Sequence, residues 1–316
     1  MQGLLKTRGP GSQFLILVSV ALVSVFLVGL LGSIVLASIS GMSLTQLSEM
    51  SKWDYSNPQT LFVVRGMQFV QFIGLFVIPS FLCARLFSTN TKQYMGLKRP
   101  SNFTYLAAGI LIMIVSIPLV GLLGELNRHV EFPAGIARWM KESEDSASQV
   151  LKGLLLHNTM KDLLLNIVFV AVLAAVGEEL LFRGMAQRLL IKWFRSPWAG
   201  IIVSAVLFSA FHLQFYGFLP RLLLGIFLGV MYWYSGSLWV AILGHFVYDA
   251  LQIVMVYYRP EMLNEESVVR TGSIALAGAV SAVLCALVLA WMVKKSQTKY
   301  EEVYAGDDIP VKDHPF

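Results

Sequence analysis

The sequence places two adjacent glutamates, Glu178 and Glu179, inside an apolar stretch, and Arg183 follows four residues after the second. An ionised carboxylate at the centre of a bilayer costs about 2.5–3.5 kcal/mol on insertion scales. Because residues four apart share a helix face, Glu179 and Arg183 can form an ion pair. Glu178 is displaced by about 100° around the helix, so its own helix leaves it unpaired. The spacing predicts a supporting role for Glu179 and a chemical role for Glu178.

Three further ionisable side chains lie in the apolar segments that follow. His212 lies in one segment, and His245 and Asp249 share a helix face four residues apart in another. A single histidine in a membrane span more often makes a helix–helix hydrogen bond than a catalytic contact. Six costly ionisable groups on three helices, however, mark a functional site. The remaining histidines fall in polar stretches: His129, His157 and His314.

The composition is that of a polytopic membrane protein. Hydrophobic residues make up 56% of the chain and charged residues 14%, with a mean hydropathy of +0.68, whereas soluble proteins have about 25% charged residues. We predict an all-α membrane helix bundle of about eight transmembrane helices. The spans are expected near residues 14–37, 62–87, 103–123, from 163 through the glutamate motif, 198–215, 219–234, 238–258 and 274–293.

The chain is predicted to have one transmembrane domain, residues 14–293, whose chemical core is 161–258. A short N-terminus, 1–13, precedes it, and a polar tail, 294–316, follows and is expected to be disordered. The first apolar run exceeds the core length of a signal peptide, so we expect it to be retained. Cys83 and Cys285 form neither a metal motif nor a disulfide framework. Basic residues separate the apolar runs without forming an aromatic-basic patch, so the lipid bilayer is an expected partner and nucleic acid is not.

Eight spans would place both termini on one side of the membrane. The positive-inside rule makes that side the cytoplasm, since basic residues cluster there. A simple zigzag leaves Glu178 late in an inward span and His212 late in an outward one. The two can meet only if the fourth helix continues past Arg183 or the fifth is displaced in depth. The polar stretch 125–161 is expected to be a surface loop with one interfacial helix, and a substrate gate is the alternative.

Three motifs in order resemble those of a known family. They are Glu-Glu-x-x-x-Arg at Glu178, Glu179 and Arg183, then Phe-x-x-x-His at Phe208 and His212, then His-x-x-x-Asn/Asp at His245 and Asp249. The segment 161–258 therefore resembles the CAAX prenyl protease and bacteriocin-processing (CAAX/Abi) family of intramembrane proteases. Each motif alone is weak, but their order over about 70 residues of a polytopic chain is specific.

The resemblance implies a glutamate-dependent intramembrane endopeptidase acting on a membrane-associated peptide or protein. It implies that Glu178 and His212 activate water and that His245 and Asp249 stabilise the oxyanion, while Glu179, Arg183 and Phe208 support the site. Many relatives have asparagine where this chain has Asp249. Since an ionised aspartate cannot donate to an oxyanion, Asp249 is either protonated or orients His245 as the donor.

A metal-dependent site is the alternative to metal-free catalysis. Glu178, His212 and His245 could bind zinc, because catalytic zinc has three protein ligands and a water. The His-Glu-x-x-His helix of many zinc proteases is missing from the sequence. The family mechanism that the resemblance implies favours catalysis with no cofactor, and zinc stays the second expectation.

Two other functions are compatible with the sequence. The chain could be a non-proteolytic membrane scaffold or a bacteriocin-immunity protein of the same family, in which Glu178 and His212 would be dispensable. A transporter is less favoured because the sequence has no matched half-repeats. We expect an integral protein of a bacterial cell (inner) membrane with both termini in the cytoplasm.

Overall fold

Helices make up all the regular structure of the described residues, 2–48, 53–156, 159–263 and 271–296 of a computed structural model. We number these helices α1 to α12 in chain order. They are α1 Pro10–Ser40, α2 Leu44–Ser48, α3 Pro58–Phe87, α4 Thr91–Tyr94, α5 Thr104–Val115, α6 Ile117–Arg128, α7 Ala134–Leu155, α8 Met160–Phe194, α9 Pro197–Phe211, α10 Phe218–Ser235, α11 Leu238–Tyr258 and α12 Thr271–Lys295.

The predicted all-α polytopic bundle is confirmed, and the count of spans changes. Among the described residues, six helices are long and apolar enough to cross a bilayer: α1, α3, α8, α10, α11 and α12. Helices α5 and α6 make a seventh only as a pair bent by 42°, since Pro118 lacks the N–H that would continue the hydrogen-bond ladder. Helix α9 has 15 residues, or about 22 Å, which is shorter than a span of about 20 residues.

The ends of the helices fall into two layers. At one end, which we call the basic end, hydrogen bonds join the N-terminal segment, the loops after α3 and α10, and the end of α12. These are Leu5 N–H to Leu86 O, Leu238 N–H to Gly96 O, and Ser296 Oγ–H to Tyr234 O. At the other end, which we call the acidic end, Asn127 donates to Phe215 O and accepts from the Leu219 N–H. Long helices therefore alternate in direction, as the zigzag predicts.

Helix α8 continues eleven residues beyond Arg183, to Phe194. Arg195 then takes a left-handed conformation (φ 51°), and the Ser196 side chain caps α9 by accepting the Ala199 N–H. Glu178 lies 16 residues before Phe194, and His212 lies 15 residues after Pro197. At 1.5 Å per residue, both side chains lie about 22–24 Å from this turn. Glu178 and His212 therefore lie at the same depth because α8 continues past Arg183, which is the first of the two predicted arrangements.

The polar stretch before α8 contains the expected helix. Helix α7 is 22 residues long and buries Met140 and Leu154, while Trp139 packs against Phe215 with ring centroids 5.2 Å apart. It therefore lies against the acidic end of the bundle. His157, His314 and the tail beyond Ser296 lie outside the described residues.

Candidate active site

The glutamate motif lies at the middle of α8 and forms the predicted ion pair. Arg183 Nη1 donates to Glu179 Oε1 at 2.7 Å, and Nη2 donates to the Gly225 carbonyl of α10 at 3.1 Å. The guanidinium also lies 4.4 Å above the ring of Phe208 in α9. Both charged side chains are almost fully buried, at 1% and 0% exposure. This pair therefore fixes α8 against two neighbouring helices without offering a free charge to solvent.

His245 links the glutamate motif to α11. Its Nδ1 donates to Glu179 Oε1 at 2.9 Å, and its Nε2 lies 3.3 Å from Asp249 Oδ2. The same Nε2 lies 3.9 Å from Glu178 Oε2. His245 therefore has a carboxylate at each ring nitrogen, with the third carboxylate of the site close by.

His212 faces Glu178 from the other side. Its Nδ1 lies 2.8 Å from the carbonyl of Phe208, and a carbonyl can only accept, so the proton of the imidazole is on Nδ1. Nε2 then carries the lone pair, and it lies 3.8 Å from Glu178 Oε1. This separation exceeds a direct hydrogen bond and suits groups that share a bridging water.

Phe208 packs against the site as the motif suggested. Its ring meets the rings of His212 and His245 edge-on, with centroids 5.0 and 6.1 Å apart. Since Arg183 lies on the same ring, Phe208 holds three polar groups of the site at fixed distances. The seven residues predicted from the motifs thus come together: Glu178, Glu179, Arg183, Phe208, His212, His245 and Asp249.

A cavity of about 480 Å³ opens beside these residues, within the range of ordinary ligand sites. Glu178, His212, His245 and Asp249 line it, and Glu179 is buried behind it. Leu151 and Leu155 of α7 contribute to the wall, so the cavity extends towards the acidic end. Its walls are otherwise mainly apolar.

Three polar residues on the cavity wall were missed by the sequence analysis: Arg221, Tyr248 and Gln252. Arg221 was detectable, because it is the only charged residue in the predicted span 219–234. Tyr248 lies three residues after His245, which places it near the same helix face. Gln252 carries no comparable signal.

The three side chains of the zinc alternative do not form a closed ligand set. Two ligands about 2.1 Å from a tetrahedral zinc ion lie about 3.4 Å apart. Glu178 is 3.8 Å from His212 Nε2 and 3.9 Å from His245 Nε2. Within the described part of the chain, no three His, Cys, Asp or Glu side chains have an arrangement that could hold a metal ion.

The fold and the site define a class: a polytopic membrane protein with a carboxylate–histidine centre inside its helix bundle. Residues 160–251 match the family model described as type II CAAX prenyl endopeptidase Rce1-like. This match supports the family predicted from the three motifs, over that segment of the chain.

One curated relative is the protein named "Uncharacterized protein YpbD" of Bacillus subtilis (strain 168). It is 30% identical over 90 residues, which are 27% of this chain and 43% of that protein. The alignment thus spans less than half of the relative. No solved structure gives a significant match.

Proposed function

We propose that this protein is an intramembrane endopeptidase that hydrolyses a peptide bond of a membrane-associated peptide or protein. The observation that carries the proposal is the position of Glu178 on the cavity wall, 3.8 Å from His212 and 3.9 Å from His245. A carboxylate and a histidine acceptor separated in this way can hold a water between them. The match to a protease family over the same residues supports the chemistry.

In the proposed reaction, Glu178 is the general base. His212 Nε2 and the Glu178 carboxylate each accept a hydrogen bond from the water, and Glu178 removes one of its protons. The water oxygen forms a bond to the peptide carbonyl carbon, and the tetrahedral intermediate then breaks its C–N bond. Glu178 returns the proton to the leaving amine, so the atoms and charges balance.

We assign the stabilisation of the oxyanion to His245. As the imidazolium cation, His245 can donate from both ring nitrogens. Nδ1 is held by Glu179, whereas Nε2 faces the cavity near Asp249 and Glu178. In this proposal Asp249 orients and stabilises His245, so the aspartate need not donate a hydrogen bond itself. The mechanism uses no cofactor.

The first test compares the purified wild type with Glu178→Gln and His212→Ala on a panel of membrane-tethered peptides, with and without a chelator. Glu178→Gln keeps the shape and removes the base, so we expect cleavage to fall by about 10²–10⁴-fold. Glu125→Gln, an exposed glutamate of α6, is the matched control. Full activity in Glu178→Gln would contradict the role of the base. Loss with chelator and recovery with zinc would contradict metal-free catalysis.

We also propose that the basic end faces the cytoplasm of a bacterial cell, which puts both termini there. Among the described residues, that end carries basic side chains and no acidic one. The basic ones are Lys6, Arg8, Arg85, Lys92, Lys98, Arg99, Lys192, Arg195, Lys294 and Lys295. Positive charge on cytoplasmic loops is the main determinant of orientation.

A further inference from the structure

A second arginine, Arg221, lies at the site. Its side-chain contacts differ from those of Arg183. It lies in the first turn of α10, is partly buried, and lines the same cavity as Glu178 and His212. Charged groups within membrane spans normally pair with one another or with backbone carbonyls. Arg183 does so with Glu179. The groups that contact Arg221 therefore indicate whether it can bind a charged ligand.

The guanidinium of Arg221 contacts only neutral acceptors. Nη1 donates to the Gln214 carbonyl at 2.9 Å, and Nη2 donates to Gln214 Oε1 at 2.5 Å. In the chain as described, no carboxylate lies within 4.0 Å of it. Gln214 also connects Arg221 to a carboxylate, because Gln214 Nε2 donates to Glu144 Oε1 of α7 at 3.3 Å. These two contacts use two of the five N–H donors of the guanidinium, so Arg221 can donate further hydrogen bonds to a ligand.

The packing of α9 against α10 places Arg221 close to the reacting groups. Ser209 donates to the carbonyl of Phe218, and Gly225 packs against Ala205 and Phe208, so the two helices are antiparallel. Arg221 lies one turn before Gly225 and therefore at the level of His212, towards the acidic end. Glu144, Glu178 and Tyr248 are near enough to interact with its charge, Glu144 most strongly.

We propose that Arg221 binds a carboxylate of the substrate, supplied either by the C-terminus of the peptide or by an acidic side chain near the scissile bond. This inference rests on the proposed protease function and narrows its substrate class. The planar guanidinium matches a carboxylate in geometry, and a mostly apolar cavity strengthens such a contact. Gln214 holds the guanidinium in place by neutral hydrogen bonds, and Glu144 beyond Gln214 offsets only part of the charge without a direct contact.

The test uses decapeptides with an N-terminal palmitoyl anchor in detergent micelles. Each sequence is made in four forms, with Glu or Gln as the last residue and a free acid or an amide at the C-terminus. Cleavage is followed by mass spectrometry for the wild type, Arg221→Gln, Arg221→Lys and Arg259→Gln. Arg259 is an exposed arginine near the acidic end of the bundle that does not line the cavity, so it is the control.

We expect kcat/KM of the wild type to favour a carboxylate form over the fully neutral form by about tenfold or more, as for a charge-assisted contact. Arg221→Gln should remove this preference, Arg221→Lys should keep part of it, and Arg259→Gln should behave as wild type. The favoured form identifies the source of the carboxylate.

Two results would overturn the role of Arg221 while leaving the protease intact. One is equal cleavage of all four forms by the wild type, and the other is an equal loss on all four forms in Arg221→Gln. Cleavage of none of the peptides by the folded wild type would instead contradict the proposed function itself. The two failures are therefore distinguishable.

Discussion

At the scale of single residues, one oxygen of Glu179 holds two donors. Its Oε1 accepts from Arg183 Nη1 at 2.7 Å and from His245 Nδ1 at 2.9 Å. The side chain is fully buried behind the cavity, so it cannot reach a substrate. Its function is to fix Arg183 and His245 relative to each other. In the proposed mechanism the two adjacent glutamates therefore have different functions.

Breaking this pair should destabilise the bundle far more than removing an exposed pair. We expect Arg183→Met to lower the free energy of unfolding by about 3–5 kcal/mol, because Glu179 would remain buried and uncompensated. The double variant Glu179→Gln/Arg183→Met should recover part of that loss. Thermal unfolding in detergent measures the stability of the single and the double variant. The control is Glu125→Gln, which removes the exposed Glu125–His129 pair. An Arg183→Met protein as stable as wild type would contradict this account.

Most residues of the site could be predicted from the sequence, because a membrane span makes every ionisable group conspicuous. Glu178, His212 and His245 stand out among apolar neighbours, and their i,i+4 partners follow from helical spacing. Arg221 was missed because it follows Pro220 at the start of an apolar run, where arginine usually extends to the interface. Which nitrogen faces which carboxylate depends on tertiary packing, so the spacing could not provide it.

At the scale of helices, the site depends on the close contact between α8 and α9. Gly200 of α9 lies against Ile191 of α8 so tightly that a Cβ there would be 2.6 Å from the Ile191 nitrogen. Because the two helices meet at this point, α9 can place His212 at the depth of Glu178. The sequence did not reveal the full length of α8, since Arg188 and Lys192 resemble the end of a span. Arg188 is in fact buried, 4.3 Å above the ring of Tyr94.

We expect Gly200→Ala to reduce both activity and stability. The new methyl group must push α9 away from the α8 backbone, and a shift of about 1 Å at His212 can lower the rate by about 10²-fold. Overpacking of this kind lowers stability by about 1–3 kcal/mol. Gly29→Ala in α1, where no atom lies within 4 Å of the new Cβ, should leave both unchanged. Peptide cleavage and thermal unfolding of the two variants are compared, and unchanged cleavage in Gly200→Ala would count against this contact.

Helix α7 carries a pH-dependent contact at the edge of the cavity. Burial raises the pKa of the Glu144 carboxyl, and the positive charges of Arg221 and Arg128 only partly offset this. Since the pKa in the folded protein exceeds that in the unfolded chain, the stability linked to Glu144 is present at low pH and is lost as the pH rises through the folded value.

Glu144→Gln should therefore be more stable than wild type at neutral pH. The difference should vanish below about pH 4, where the carboxyl is protonated in both states. Thermal unfolding in detergent from pH 4 to pH 8 measures the trend, and Glu142→Gln, at an exposed position of the same helix, is the control. A wild type that gains stability relative to Glu144→Gln on going from pH 4 to pH 8 would show the opposite sign.

At the scale of the whole molecule, the helical architecture followed from hydropathy, whereas the number of spans did not. Helix α9 is as apolar as a span but too short, and the predicted third span is broken between Val115 and Ile117. The break comes from Pro118, whose effect on the helix does not show in an average of hydropathy over a window. The cavity could not be located from sequence, because its position depends on how the ends of α7 to α11 meet.

The charges at the two ends of the bundle predict which side of the membrane the cavity faces. The cavity is walled by Leu151 and Leu155 near the acidic end, while the basic end is proposed to be cytoplasmic. The substrate should then enter from the outer side of the membrane.

Labelling of single cysteines with a membrane-impermeant maleimide in intact cells tests this orientation. Ser56→Cys lies at the acidic end and Lys92→Cys at the basic end, and both positions are exposed. The native Cys83 and Cys285 are buried and give little background. We expect Ser56→Cys and Leu151→Cys to be labelled in intact cells and Lys92→Cys only after lysis. Because positive loops stay in the cytoplasm, the reverse pattern would place the cavity on the cytoplasmic side and invert the proposed topology.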